Sequence, residues 1–255
     1  MVGQIIFEVT SRDFLDMNAS SPLGRIQALI FDTYGTVVDW RSAVLAAARA
    51  LGQARGLSID WEAFVGDWNT RPILDAINAD QTPWMTMEAV HRHALMQSLA
   101  RFGIAGLTEG EIDQLVKARW RLSPWPDSVP GLTRLKRRYV ISPLSNASFA
   151  GMVRLAKFAG LPWDCVITAE NARRYKPHPA AYHTAVSLLG LTPGEVMLVA
   201  AHNYDLRAAQ GQGLPTAFVP RPTEYGPGQT TDLEPDGRWT IVASDFGDLA
   251  AQLGA

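Results

Sequence analysis

The chain has 255 residues, 47% hydrophobic and 19% charged, with 23 basic and 25 acidic side chains and a net charge of -2. These totals fit one large globular domain, or a core plus a smaller module, and give no electrostatic ground for binding nucleic acid or an anionic membrane. The only cysteine, Cys165, excludes an internal disulfide and fits a reducing cytoplasm, and no apolar run is long enough to span a bilayer.

Residues 1–25 match no pattern well. A signal peptide carries early basic charge and a longer apolar stretch, whereas here Glu8 precedes the first basic residue, Arg12. They are expected to form an N-terminal extension. The stretch Ile26 to Asp39, IQALIFDTYGTVVD, then organises the chain. Its nearly continuous apolar run predicts a strand buried on both faces. Asp32 ends that run, and Thr33, Tyr34, Gly35 and Thr36 turn the chain, with Gly35 freest to take a positive φ. A carboxylate at the carboxyl end of a buried strand is costly unless paired or used.

Apolar spacing predicts a helix over 42–54, broken at Gly56, and further helices but no strand over 61–121, including 86–102 and 109–122. An all-helical block after the first strand of an α/β domain is the pattern of a cap. Six of the eight tryptophans, at 40, 61, 68, 84, 120 and 125, fall in or beside it. They either fill a small helical core or wall an apolar pocket over Asp32.

From 129 onward helices and strands alternate. Helices are expected over 129–138, 148–159, 179–189, 205–210 and 245–253, and strands over 139–144, 165–168, 196–201, 216–219 and 240–242. That alternation predicts a doubly wound parallel sheet of the α/β class carrying an inserted helical cap. The core is expected over 26–40 and 126–255, and the cap over 41–125. Residues 220–237, rich in Pro, Gly and Asp, read as a long surface loop. Pro143, inside the second core strand, removes a ladder donor and has no explanation at this level.

Parallel strands end on one edge, so the residues just after them meet there. That edge collects Asp32 and Thr36, Ser145 and Asn146, Lys176, then His202, Asn203 and Asp205. Each alone has an ordinary explanation as a cap or a solvated loop residue; together they form an active-site candidate.

Asp32-Thr-Tyr-Gly-Thr-Val-Val-Asp39, Leu144-Ser-Asn146, Tyr175-Lys-Pro177 and the strand running into Asp205 resemble, in order, the four motifs of the haloacid dehalogenase superfamily. The resemblance implies its Rossmann-like core with Asp32 as nucleophile. Phosphatases of that superfamily carry a second Asp two positions on, where this chain has Tyr34, and need a carboxylate-rich Mg²⁺ site. The D-x-Y-G-T form with S-N and Y-K-P resembles the L-2-haloacid dehalogenases, which use no metal or cofactor. The run from Arg121 to Asp127 resembles their return from cap to core.

The implied reaction is covalent catalysis on a small haloacid, releasing halide and a 2-hydroxyacid through an ester on Asp32. Lys176 keeps Asp32 ionised, Thr36 orients it, and Asp205 is the expected base for the hydrolytic water. Ser145 and the N–H groups of Thr33 and Tyr34 are expected to bind the substrate carboxylate, and Asn146 and Tyr34 the halide. The subfamily places an Arg directly after a cap Trp, but Asn69 follows Trp68 here, leaving Arg71 or Arg41 as candidates. Asn203 is a further substrate-binding candidate, and His202, where the subfamily has Asn, a water-holding or basic one. The resemblance makes a homodimer plausible and implies neither a nucleic-acid nor a membrane partner. Alternatives are a hydrolase of another small carbon electrophile, a phosphatase, or a non-catalytic relative.

Overall fold

The computed structural model describes residues 22–255. Positions 1–21 of the expected extension lie outside the described residues. In chain order the elements are β1 (Ala28–Phe31), β2 (Val38–Asp39), α1 (Trp40–Arg55), α2 (Trp61–Asp67), α3 (Arg71–Asn78), α4 (Met87–Arg101), α5 (Glu109–Lys117) and β3 (Ser123–Pro124). There follow α6 (Ser128–Leu135), β4 (Val140–Ser145), α7 (Phe149–Ala159), β5 (Ile167–Thr168), α8 (Pro179–Leu188), β6 (Val196–Ala200), α9 (Asn203–Gln210), β7 (Thr216–Phe218), β8 (Ile241–Val242) and α10 (Phe246–Gln252).

Six strands form a parallel sheet in the order β5-β4-β1-β6-β7-β8. β1 is fully buried, and its side chains alternate between two cores. Leu29 and Phe31 join residues of α6, α7 and α10, including Leu132, Met152 and Phe246. Ala28 and Ile30 join residues of α8 and α9, including Tyr182, Ala185 and Leu206. This two-sided burial explains the continuous apolar run in the sequence. The chain winds from β1 through β4 to β5 on one side and through β6 to β8 on the other. The order therefore switches at β1, where open α/β sheets form their ligand crevice.

The helices α1–α5 pack around their own core of Val44, Phe64, Trp68, Leu95, Leu115 and neighbours. Local caps start them: Asp39 accepts from Ser42 N, Asp60 from Glu62 N and Ala63 N, and Thr108 and Glu111 close a capping box. The helix expected over 109–122 stops at Lys117. It passes into a 3-10 turn, Ala118–Trp120, and then into β3, which pairs antiparallel with β2. This short ribbon is where the chain leaves and re-enters the sheet layer. Trp125 N and Ser128 Oγ also donate to Val37 O.

Pro143 is accounted for by register. Val140 N donates toward β1, at Gln27 O, whereas Ile141 N donates the other way, to Asp164 Oδ2. Alternation points the N of Pro143 to the same side as that of Ile141. β5 pairs only from Leu144 onward, so the missing donor falls before the ladder begins.

The segment over 220–237 is a largely exposed loop, as expected, but not throughout. Arg221 and Glu224 on it are buried. Arg221 makes a bidentate ion pair with Asp127, at 2.7 and 2.9 Å, and donates to Thr36 O. Turn-forming composition marks where the chain bends, not whether it bends over a cleft.

Candidate active site

Asp32 emerges from β1 with its N–H still in the sheet, donating to Val199 O. The turn that follows is closed by Gly35 N to Val38 O and by Val37 N and Val38 N to Thr33 O, with Gly35 at φ +86°. These bonds leave the N–H groups of Thr33 and Tyr34 outside the turn's own pattern. A side chain on Gly35 would collide with the Glu224 carboxylate, 2.0 Å from an ideal Cβ, so glycine is required twice over at this position.

The Asp32 carboxylate accepts from three donors, one on Oδ1 and two on Oδ2. Lys176 Nζ lies 2.8 Å from Oδ1. Thr36 Oγ1 donates to Oδ2 at 2.8 Å, and the same hydroxyl accepts from Ala201 N. His202 Nδ1 lies 3.1 Å from Oδ2. Burial by itself would raise the Asp32 pKa, but the Lys176 charge and the His202 bond outweigh it and hold the carboxyl well below its ordinary range. Lys176 is equally buried. Burial would lower its pKa, but Asp205 and Asp32 together raise it, so the ammonium stays charged.

Asp205, at the start of α9, has no exposed surface. One oxygen meets Lys176 Nζ at 2.5 Å and the other accepts from Tyr182 OH at 2.6 Å. It stands behind Lys176 rather than in the cavity. Asn146 likewise has both ends of its amide occupied: Nδ2 donates to Lys176 O at 3.0 Å and Oδ1 accepts from Lys176 N at 2.8 Å. It holds the lysine's backbone in place with its oxygen and one Nδ2 hydrogen, and it lines the same cavity as Asp32 with the second Nδ2 hydrogen unassigned. The α7 N-cap is Ser148, whose Oγ accepts from Gly151 N.

Two adjoining cavities open over Asp32. One, of about 190 Å³, is lined by Asp32, Tyr34, Ser145, Lys176, His202 and Glu224, among others. The second, of about 340 Å³, shares Tyr34, Trp40, Thr70, His91 and Tyr225 with it and extends to Val65, Trp68 and Arg119. Both expectations for the tryptophans hold in part. Trp40 and Trp68 wall the cavities, whereas Trp61 packs against Gly52 and Phe64.

Arg71 is not in either lining. It is half-exposed, binds Asp75 at 2.8 Å one helical turn on, and lies over the Tyr204 ring. Arg41 pairs with Glu62 at 2.7 Å. Asn203 is also removed from the cavities. Its N and Nδ2 donate to Asp232 Oδ1, its Nδ2 also to Glu234 O, and its Oδ1 accepts from Asp236 N and Trp239 Nε1. It fastens the loop over 220–237 to the start of α9.

Three residues reach the site unannounced by the sequence. Arg119, from the 3-10 turn after α5, is buried over the Trp68 ring, and its Nη1 has no hydrogen-bond partner. Burial lowers its pKa to about 10, which leaves it a cation at neutral pH. His91, on α4, is buried with both ring nitrogens unpartnered, and burial, reinforced by Arg119, pushes its pKa well below the ordinary value, so it is neutral. Glu224 binds His202 Nε2 at 2.8 Å through Oε2 and accepts from Trp40 Nε1 through Oε1. Only the adjacency of Arg119 to Trp120, and of Glu224 to Tyr225, hinted at them, and neither pair is a motif.

A buried aspartate held ionised by lysine stands at the switch point of a doubly wound sheet, under a helical insert, the layout of a hydrolase with a Rossmann-like core. The sequence model of the haloacid dehalogenase-like hydrolases matches residues 26–213, and the chain belongs to that family. Among curated proteins, the (S)-2-haloacid dehalogenase of Xanthobacter autotrophicus is 31% identical over 77% of this chain and 76% of its own length. The crystal structure of the defluorinating L-2-haloacid dehalogenase Rha0230 superposes with a TM-score of 0.89 at 47% identity, covering 92% of this chain and 98% of that one. The structure of the Xanthobacter autotrophicus L-2-haloacid dehalogenase with chloropropionic acid covalently bound matches at a TM-score of 0.74 and 25% identity, over 90% of this chain and 99% of that one. Among the described residues no helix is long and apolar enough to cross a membrane.

Proposed function

We propose that the chain hydrolyses short L-2-haloalkanoic acids to 2-hydroxyacids through an ester on Asp32, without a metal. The observation that carries this reading is the Lys176–Asp32 pair at 2.8 Å at the floor of a cavity. A carboxylate kept ionised in a poorly hydrated site is a nucleophile for carbon. Kinship with an enzyme whose structure holds covalently bound chloropropionic acid supports the covalent route.

One Asp32 oxygen attacks C2 in line, the carbon–halogen bond breaks, and halide leaves with the bonding pair. Ser145 and the N–H groups of Thr33 and Tyr34 receive the substrate carboxylate. Arg119 and neutral His91, whose buried nitrogens lack partners, receive the halide in the second cavity beside Tyr34, Trp40, Trp68 and Tyr225. Arg119 thereby takes the place expected for Arg71, and the second Nδ2 hydrogen of Asn146, in the lining of the first cavity, joins them as a halide donor. The metal-free reading rests on occupancy of the oxygens. Those of Asp32 accept from Lys176, Thr36 and His202, and those of Asp205 from Lys176 and Tyr182.

The division into a core over 26–40 and 126–255 and a cap over 41–125 belongs to this proposal, with the β2–β3 ribbon as its hinge. So do a homodimer, by kinship, and a reducing cytoplasm, where the exposed thiol of Cys165 stays free. Sedimentation checks the dimer.

The test is halide release from chloroacetate, L-2-chloropropionate and fluoroacetate in EDTA, with Asp32→Asn as control. In ¹⁸O-water a single turnover labels Asp32. No release from any haloacid removes the proposal; Mg²⁺-dependent phosphate ester hydrolysis at useful rates replaces it with a phosphatase.

A further inference from the structure

His202 stands between two carboxylates. Its Nδ1 faces Asp32 Oδ2 at 3.1 Å and its Nε2 faces Glu224 Oε2 at 2.8 Å. Glu224 is held from its other side by Trp40 Nε1 at 3.0 Å and seated against Gly35 in the turn after Asp32. Tyr204, at 5.8 Å between ring centroids, and Tyr225, whose OH is 3.4 Å from Nε2, also flank the imidazole. Beyond Asp32 lies the Lys176 ammonium. His202 and Glu224 line the same cavity as Asp32, whereas Asp205 is enclosed by Lys176 and Tyr182 and lines neither cavity.

We propose that His202, oriented by Glu224, is the base that activates water against the Asp32 ester, and that Asp205 positions Lys176 instead. The inference rests on the covalent reading above and assigns its second half. In the resting site burial would make His202 neutral, but Glu224 and Asp32 outweigh it, so the ring is an imidazolium donating to both carboxylates. When Asp32 becomes a neutral ester the imidazolium loses one of its two counter-charges, and its Nδ1 proton passes to solvent through the cavity. Glu224 keeps the Nε2 proton, which fixes the tautomer and leaves the Nδ1 lone pair facing the ester.

Water then attacks the Asp32 carbonyl carbon and gives a proton to Nδ1. The tetrahedral intermediate collapses with cleavage of the bond from that carbon to the ester oxygen. The leaving alkoxide takes the proton from Nδ1 and departs as 2-hydroxyacid. Asp32, left as a carboxylic acid, returns its proton to Nδ1 and restores the ion pair. The sum is haloacid plus water giving hydroxyacid, halide and one proton.

The experiment follows halide by rapid quench, and protein mass on the quenched samples, for the wild-type chain, Glu224→Gln, Glu224→Asp and His202→Gln. The expected result is a halide burst of about one per enzyme in the Gln variants. Steady turnover then falls on the order of 100-fold or more, the scale of a lost general base, while the ester mass accumulates. Glu224→Asp recovers part of the turnover. Equal loss of burst and steady state with no adduct overturns the inference but leaves the covalent reading standing, whereas a wild-type chain that releases no halide overturns both. Should the variants misfold, single turnovers of the wild-type chain decide. Ester breakdown must quicken as pH rises while the halide burst stays flat, and breakdown independent of pH overturns the assignment.

Discussion

The Arg119 guanidinium lies 4.0 Å above the centre of the Trp68 ring and has no ion-pair partner among the described residues. A buried cation in contact with an aromatic face gains some attraction, but not enough to replace a counter-ion. Its place is therefore unfavourable for folding and favourable for an incoming anion. Arg119→Met is expected to leave Tm unchanged or higher while lowering kcat/KM by about 30- to 1000-fold, equivalent to roughly 2–4 kcal/mol for a desolvated charge contact. Thermal unfolding and halide-release kinetics on the same preparation check it. A large fall in Tm would mean that the guanidinium serves the fold.

The Arg119–Trp68 contact also shows where the sequence stopped being informative. Trp68 is legible in the sequence, but the residue that follows it is Asn69, not an arginine. The structure brings in an arginine from beyond α5 instead, because a buried ring offers its face to any element packed across it. Asp32, Lys176, Thr36 and His202 were legible for the opposite reason. Each follows a strand, or a loop tied to one, and parallel strands end on a common edge. Glu224 was hidden by its Pro- and Gly-rich surroundings, which specify turns but not their destination. Asn146 and Asp205 were placed in the right neighbourhood, yet their free oxygens and nitrogens could be counted only once their partners were known.

Lys176 is expected to be the most costly side chain to remove. Without it two buried carboxylates, Asp32 and Asp205, face each other with no cation between them. Lys176→Met should lose about 3–5 kcal/mol of stability at neutral pH, as for one partner of a buried pair, and release no halide burst. The pH dependence has a definite sign. Asp32 is held below its ordinary 3.8, so its pairing stabilises the wild-type fold above that value and is lost as pH falls through the lower folded one. Removing Lys176 raises the folded pKa, so the stability deficit shrinks toward acid. Denaturant melts of both proteins at neutral and acid pH measure this. A deficit that is constant with pH contradicts the ion-pair account.

Gly35→Ala tests the seating of Glu224. The position has φ +86°, and an added methyl would meet the Glu224 carboxylate. Backbone strain alone costs on the order of 1–3 kcal/mol, and the carboxylate must also move off His202. The expected outcome is a lower Tm together with slower ester breakdown, seen as adduct accumulating during turnover. Arg71→Ala is the contrasting control. Its side chain is half-exposed and bound to Asp75 outside both cavities, so kcat/KM should stay within a few-fold of wild type.

Asn203 shows how a residue outside the cavities governs one inside. Its side chain and N–H make five hydrogen bonds to the segment from Asp232 to Trp239, the far end of the loop that carries Glu224 and Tyr225. Asn203→Ala leaves buried donors and acceptors unmatched, at about 1–3 kcal/mol for each group that water cannot reach. It should lower Tm and speed hydrogen exchange over residues 220–239 before it affects the sheet. Because Arg221 still anchors the near end through Asp127, the halide burst is expected to survive while turnover falls. Asn203→Asp, which keeps the acceptors but loses the amide donors beside Asp232, should be at least as damaging as Ala, since two carboxylates would then face each other. A variant with Ala that exchanges and turns over like wild type would show that the loop is held by its other contacts and that Asn203 has no part in placing Glu224.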